Sequence, residues 1–266
     1  MSTSFILTQL THLRFRGPDA ERYLSGQITQ QVSDLPLDCS RYTFVCDAKG
    51  RILFDAHVRR DEQGFLLSVC GGDKDEIFAR MDRYLIADDC ELSDESDEWV
   101  VQHTLLDGKE ECAVNRFGSW GRDEYQRGEE RKDMIGSDPD QLEILRISNG
   151  VARIPDLAGA LPAETGLEDE AISFHKGCYL GQEVISRMKR AGRTNRKLVS
   201  FFLEQPAEKL PLSFYAEPQK KALLEVTSAT TEGLDGKFPA LGYLSSRYEP
   251  GTLLQSSAGN SVTGLS

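Results

Sequence analysis

Three short runs with strand character stand close together, at residues 42–46, 51–59 and 65–70. The turn Asp47-Ala48-Lys49-Gly50 joins the first two, and Asp61-Glu62-Gln63-Gly64 leads into the third, each ending on a glycine suited to a tight reversal. Connections this short make an antiparallel meander. Over residues 73–85 the apolar period changes, with Ile77, Phe78, Met81, Tyr84 and Leu85 at i, i+1, i+4, i+7 and i+8. That stripe predicts an amphipathic helix covering one face of the sheet, and hence an α+β unit.

The flanking sequence extends this unit. Residues 5–15 have strand character, and Gly17-Pro18-Asp19 then starts a helix, with proline in its first turn and Tyr23 and Leu24 to bury. Acidic residues 94–98 read as a loop and residues 99–106 as a strand. Residues 107–139, rich in Gly, Glu and Arg, are expected to be irregular. Asp138-Pro139 caps a helix running through Leu142 and Leu145 to Arg146. After Lys197 the chain changes character. Residues 198–203, 222–230, 241–246 and 252–256 read as short β segments split by Pro, Gly and Ser, the pattern of a small barrel or sandwich. A domain boundary is expected near residue 196.

The unusual chemistry is concentrated in residues 175–198, HKGCYLGQEVISRMKRAGRTNRKL. Cys178 lies between Gly177 and Tyr179, close after His175 and Lys176, where positive charge favours a thiolate. Gly181 precedes Val184, Ile185 and Met188 at helical spacing, so the loop feeds a helix N-terminus whose amides attract negative charge. A tight glycine-rich turn around a buried structural cysteine fits the same residues equally well. Next, Arg187, Lys189, Arg190, Arg193, Arg196 and Lys197 place six basic residues in eleven positions, on a chain of net charge -12. A basic island on an acidic protein is placed for an anion, although many such runs are only a solvated helix face.

Other classes find little support. With 266 residues, 39% of them hydrophobic, more than one domain and substantial cores are expected. No run of about 18 apolar residues suggests a membrane span, and the start MSTSFILTQLTHLRF has no targeting pattern. The six cysteines are scattered without a C-x-x-C pair, which argues against a disulfide framework or zinc site and for a reducing cytoplasm. The four histidines show no H-x-x-x-H spacing, so no catalytic zinc is expected. Neither a G-x-x-x-x-G-K-[ST] phosphate loop nor a G-x-S-x-G elbow occurs.

The string Lys176-Gly177-Cys178-Tyr179-x-Gly181-Gln182-Glu183, followed by Arg187, Lys189, Gly192 and Asn195-Arg196, resembles the signature of the YgfZ family. These are folate-binding proteins that assist assembly or repair of iron-sulfur clusters, similar in fold to the aminomethyltransferase (T-protein) of the glycine cleavage system. The T-protein has Lys-x-x-Phe-x-Gly here and lacks the cysteine. Gly17-x-Asp19-Ala20-x-x-Tyr23-Leu24, the Leu145-Arg146-x-x-x-Gly150 box, and Pro155, Pro162 and Glu164 are similar to the same superfamily.

The resemblance implies a three-domain, T-protein-like α+β ring around a folate pocket, ending in a small β-barrel. Residues 1–195 would form the folate-binding region, as two interleaved α+β domains with the second around 40–98, and residues 196–266 the barrel. It implies tetrahydrofolate or a derivative as cofactor, with Asp55, Arg146, Arg187 and Arg196 as folate contacts and Cys178 as the functional thiol. Asp55 lies in a stretch similar to the T-protein strand whose acidic residue sits near folate, and a carboxylate can pair with adjacent pterin N–H groups. Where the enzyme has a pterin-binding glutamate, this chain has Ser148. The expected role is an accessory factor for iron-sulfur client or assembly proteins, with no resident metal and no membrane. A folate-dependent aminomethyltransferase or other one-carbon transferase is the alternative. An RNA-binding module is weaker still, because Tyr179 is the only aromatic near the island.

Overall fold

The computed structural model describes residues 3–128, 136–217, 220–257 and 259–265. The first part of the chain runs β1 (Ser4–Leu7), β2 (Leu10–Arg16), α1 (Ala20–Gln27), β3 (Ser40–Cys46), β4 (Ile52–Asp61), β5 (Gly64–Cys70), α2 (Lys74–Asp82), β6 (Glu91–Asp94), β7 (Trp99–Leu105), β8 (Val114–Asn115) and β9 (Trp120–Arg127). Four helices follow: α3 (Pro139–Ser148), α4 (Pro162–Thr165), α5 (Glu168–Ala171) and α6 (Gln182–Ala191). The chain ends in β10 (Arg196–Leu203), β11 (Leu212–Tyr215), β12 (Leu224–Ala229), β13 (Phe238–Ser245), β14 (Gln255–Ser256) and β15 (Val262–Thr263).

The expected meander, β3-β4-β5, forms one side of a five-stranded antiparallel sheet in the order β3-β4-β5-β2-β6. Tyr23 and Leu24 of α1 and Ile77 and Met81 of α2 are buried in one core with Leu13, Phe15, Phe54 and Leu67. Asp73 caps α2 by accepting from the Glu76 amide at 3.0 Å. The helix is shorter than the apolar stripe suggests, ending at Asp82 and leaving Tyr84 partly exposed.

Two expectations are corrected here. The single strand expected over residues 5–15 is broken at Thr8 and Gln9, so β1 pairs with β7 while β2 pairs with β5 and β6. The segment expected to be irregular contains β8 and β9, which complete a four-stranded sheet in the order β1-β7-β9-β8. Within it, residues 129–135 lie outside the described ones. Strand β9, WGRDEYQR, carries little apolar signal because its inward Asp123 is bound to Arg116 rather than packed as a hydrophobe. A third correction concerns the cysteines. Cys39 and Cys112 are joined as a disulfide with their Cα atoms 4.8 Å apart, tying the segment before β8 to the start of β3. Their separation of 73 residues left no local pattern to read.

The last six strands form a sheet ordered β14-β11-β12-β13-β10-β15, and a bridge between Gln255 and Ser261 draws its edges together into a nearly closed barrel. Phe201, Leu203, Phe214, Leu224, Val226 and Leu254 fill it. Barrel and α+β part are joined by polar contacts. The Tyr243 hydroxyl donates to the Asp156 carbonyl at 2.9 Å, and Arg146 donates to Ser228 Oγ at 3.1 Å.

The loop entering α6 packs against the turn after β3. Gly181 has φ +87°, and a Cβ there would lie 2.5 Å from the Asp47 carbonyl oxygen and 2.9 Å from Gly50 Cα. Its neighbour Leu180 donates its amide to the Gly26 carbonyl at 3.0 Å. Gly177 in the same loop has no such neighbour within 4 Å. Gly181→Ala is therefore expected to destabilise the fold by about 2 kcal/mol or more, through a strained φ and a backbone clash. Gly177→Ala should stay within about 0.5 kcal/mol of the parent. Urea unfolding of the two variants measures the contrast, and equal losses would mean that the close approach does not govern the loop.

Candidate functional site

A cavity of about 430 Å³ lies between the four-stranded and five-stranded sheets, with α3 and residues 149–154 closing it. That volume falls in the range of small-molecule sites. The two-residue period of β4 puts Asp55 and His57 on one face of the strand, where both line the cavity. Tyr42 lies across the ladder from His57 and donates its hydroxyl to Asp55 Oδ2 at 3.1 Å. Asp55 is 7% exposed, and its other oxygen, Oδ1, has no hydrogen-bond partner; nor has His57 Nε2.

These environments set the protonation states. Burial pushes the Asp55 carboxyl up to about 6, against the pull of the Tyr42 hydroxyl, the Asp55 and Ile154 amides and Arg153. Burial, helped by the Arg116 charge, holds His57 well below its ordinary value, so its imidazole is neutral. Arg116 also lines the cavity and is bound to Asp123 through Nη2 to Oδ2 at 2.6 Å. Although burial works the other way, Arg116 keeps that carboxylate ionised.

On the opposite wall Glu143 and Arg146 stand one turn apart on α3. The Arg146 guanidinium is 1% exposed and fully engaged, with Asp156 at 2.7 Å, the Val151 carbonyl at 2.5 Å, Ser228 at 3.1 Å, and Glu143. It holds α3, the loop and the barrel together and keeps no free donor fork for a ligand. Arg153 also binds Glu143, and its Nη1 donates to Cys70 Sγ at 2.9 Å. Ser148 is exposed at the end of α3 and does not line the cavity.

The Lys176 to Glu183 motif lies elsewhere. Lys176 Nζ donates to the carbonyls of Ser25, Ile28 and Gln30 at 2.8, 2.9 and 2.9 Å, at the end of α1. Burial lowers its pKa to about 8, while three carbonyl dipoles favour the ammonium. The positive charge expected to serve Cys178 is thus committed to the backbone. Cys178 and Gly177 are exposed, Tyr179 is buried, and Gln182 reaches the Gly177 carbonyl only at 3.5 Å. Glu183 is exposed in the first turn of α6. Tyr179 and Ile185 share a core with Tyr42, Phe44 and Ile52, so the motif packs behind the strand pair that carries Asp55.

Of the predicted site residues, Asp55 and Arg146 line the cavity, whereas Cys178, Arg187 and Arg196 do not. Arg187 is exposed on α6. Arg196 binds Glu164 at 3.2 Å and lies over the Tyr243 ring at 4.1 Å. Sequence reasoning missed His57, Cys70, Arg116, Glu143 and Arg153. The β4 alternation could have found His57 from Asp55; the others meet only through tertiary packing. Among the described residues no group of three or more His, Cys, Asp or Glu side chains is placed to hold a metal ion.

Residues 4–103 match the GCVT N-terminal domain family. The whole chain superposes on the glycine cleavage system aminomethyltransferase T of Bartonella henselae, with TM-score 0.77 and 16% identity, over 98% of this chain and 84% of that one. It is 26% identical to the tRNA-modifying protein YgfZ of Aliivibrio fischeri, covering 68% of this chain and 65% of that protein. It is also 27% identical to an iron-sulfur cluster assembly factor IBA57 homolog of Pyricularia oryzae, over 69% of this chain and 53% of that protein. The chain thus has the fold of the T-protein. Within that fold its resemblance is to the YgfZ family, the likeness its cysteine motif carries. No helix among the described residues is long and apolar enough to cross a membrane.

Asp55 gives a pH test. Its folded pKa of about 6 lies above the ordinary 3.8, so the folded state holds the proton more tightly. Its contribution to stability is therefore present at low pH and lost as pH rises through about 6. Asp55→Asn should gain stability relative to the parent between about pH 4 and 6, by at most about 3 kcal/mol. Urea midpoints across that range measure it, and parallel curves would mean that Asp55 titrates normally.

Proposed function

We propose that the protein binds tetrahydrofolate or a derivative in the central cavity and acts as a cytoplasmic accessory factor in assembly or repair of iron-sulfur enzymes. The observation that carries the reading is Asp55, a buried carboxylate on the wall of a T-protein-type cavity with one oxygen lacking a partner. An acceptor of that kind suits the adjacent N–H donors of a pterin ring. In the ionised state Asp55 would accept those donors, with Tyr42 holding its second oxygen in place. Neutral His57 offers a further polar atom, and Phe117 and Leu10 apolar surface. A bound reduced folate would supply a one-carbon carrier.

Cys178 has a separate part. Being exposed and outside the cavity wall, it suits contact with a macromolecular client better than contact with a molecule inside the cavity. A thiol there can hold a sulfur species or touch a cluster transiently. The one-carbon transferase alternative loses ground because Ser148 is exposed rather than set in the wall. For a polyglutamate tail, Arg187 is the better candidate, since Arg196 is occupied by Glu164 and Tyr243. The YgfZ relative named for tRNA modification keeps RNA as a second reading of the exposed Arg187, Arg190, Arg193 and Lys197.

Tetrahydrofolate should raise the melting temperature of the parent protein by mass action, and Asp55→Ala should abolish or strongly reduce the shift. No shift at concentrations far above ordinary folate affinities would refute the reading. Cys178→Ser should keep the parent's melting temperature and folate shift yet fail to restore iron-sulfur enzyme activity in cells lacking the endogenous factor. Complementation equal to the parent would return Cys178 to a surface residue. Arg187→Ala should weaken polyglutamylated folate more than the monoglutamate; loss of salt-dependent RNA binding instead would favour the RNA reading.

A further inference from the structure

Cys70 closes β5 at the edge of the central cavity, and the two glycines that follow it, Gly71 and Gly72, have φ of +83° and +81°. They turn the chain away and set no side chain beside the sulfur. A Cβ on Gly71 would have the Ile154 carbonyl oxygen at 3.9 Å as its nearest neighbour. Cys70 lines the cavity and is half-buried, whereas Cys46 is fully buried in the core behind it. Arg153 Nη1 donates to Cys70 Sγ at 2.9 Å. Two buried polar atoms without partners, Asp55 Oδ1 and His57 Nε2, belong to side chains of the same wall.

A thiol on the wall of a cavity, hydrogen-bonded by a guanidinium that favours its thiolate, is within reach of a small molecule that enters there. We infer that Cys70 is a covalent modification site inside the central cavity, alkylated by small soft electrophiles that enter it, and that the adduct then excludes the cavity's own ligand. The identity of that ligand rests on the folate reading above; the reactivity of the thiol does not. In the alkylation, a Cys70 sulfur lone pair forms the new S–C bond. The bond to the leaving group breaks with its electron pair, and the thiol proton passes to solvent. Burial raises the thiol pKa while Arg153 and Arg116 oppose it, so the rate should climb with pH toward the alkaline side.

Iodoacetamide is the probe, used without reductant on a Cys90→Ser, Cys178→Ser variant, which leaves Cys46 and Cys70 as the unpaired thiols. Peptide mass spectrometry should find Cys70 carboxamidomethylated at least about tenfold faster than Cys46, in line with their access. Arg153→Ala should slow Cys70 labelling at a given pH. Saturating tetrahydrofolate should protect Cys70, and the labelled protein should lose its tetrahydrofolate-induced melting shift. A Cys70→Ala protein treated in the same way should keep that shift. Labelling of Cys70 no faster than of Cys46 would overturn the proposal, as would a labelled protein that still shows the full shift. If the unlabelled protein shows no shift, the folate reading fails, and the Cys70 to Cys46 rate ratio alone decides the modification site.

Discussion

The ammonium of Lys176 gathers three backbone carbonyls at the end of α1 and fixes the cysteine motif to the rest of the molecule. Ser25 contributes a last-turn carbonyl of α1, which has no helical partner, and Ile28 and Gln30 add two from the chain just beyond it, a set that suits a cation. Each charge-assisted bond contributes on the order of 1.5 to 3 kcal/mol, set against a desolvation cost of several kcal/mol for burying the charge. The balance is narrow in energy but strict in geometry. With Lys176 in place, Leu180 meets Gly26, Gly181 meets the turn at Asp47, and Tyr179 and Ile185 enter the core behind β3 and β4. Cys178 is left at the surface while Lys176 before it and Tyr179 after it are held inward.

The cavity depends on a second kind of constraint, ion pairs that lock α3 and β9 to the loops beside them. Arg146 with Asp156 ties α3 to the loop that follows it, and Arg116, on the cavity wall, is held by Asp123 of β9. Such pairs add little net stability against apolar substitutes, yet removing one partner leaves an uncompensated charge, so they enforce one arrangement. Among the described residues of the barrel none lines the cavity. The barrel acts at one remove, through Ser228 on Arg146 and Tyr243 on the Asp156 carbonyl.

Asp55, His57, Cys70 and Glu143 share the cavity wall, while the Cys178 thiol is exposed just before α6. They are mechanically joined, since Tyr42, which orients Asp55, packs in the same core as Tyr179 of the motif.

What the sequence by itself determined was local. The meander, its covering helix, the helix from Pro139 and the run of β segments after residue 196 follow from period, turn residues and caps, which act over a few positions. The motif around Cys178 and the candidacy of Asp55 came through resemblance to known families, which contiguous strings can carry. Tertiary structure alone decided the matters that depend on charges meeting across the chain. It turned Lys176 toward α1 rather than toward the thiol and closed Arg146 in a network instead of leaving it open to a ligand. It also made strands of the polar segment around Asp123 and paired Cys39 with Cys112. A charged side chain does not carry in its own sequence neighbourhood the identity of its partner, and burial, which sets what that charge can do, exists only once distant segments have packed.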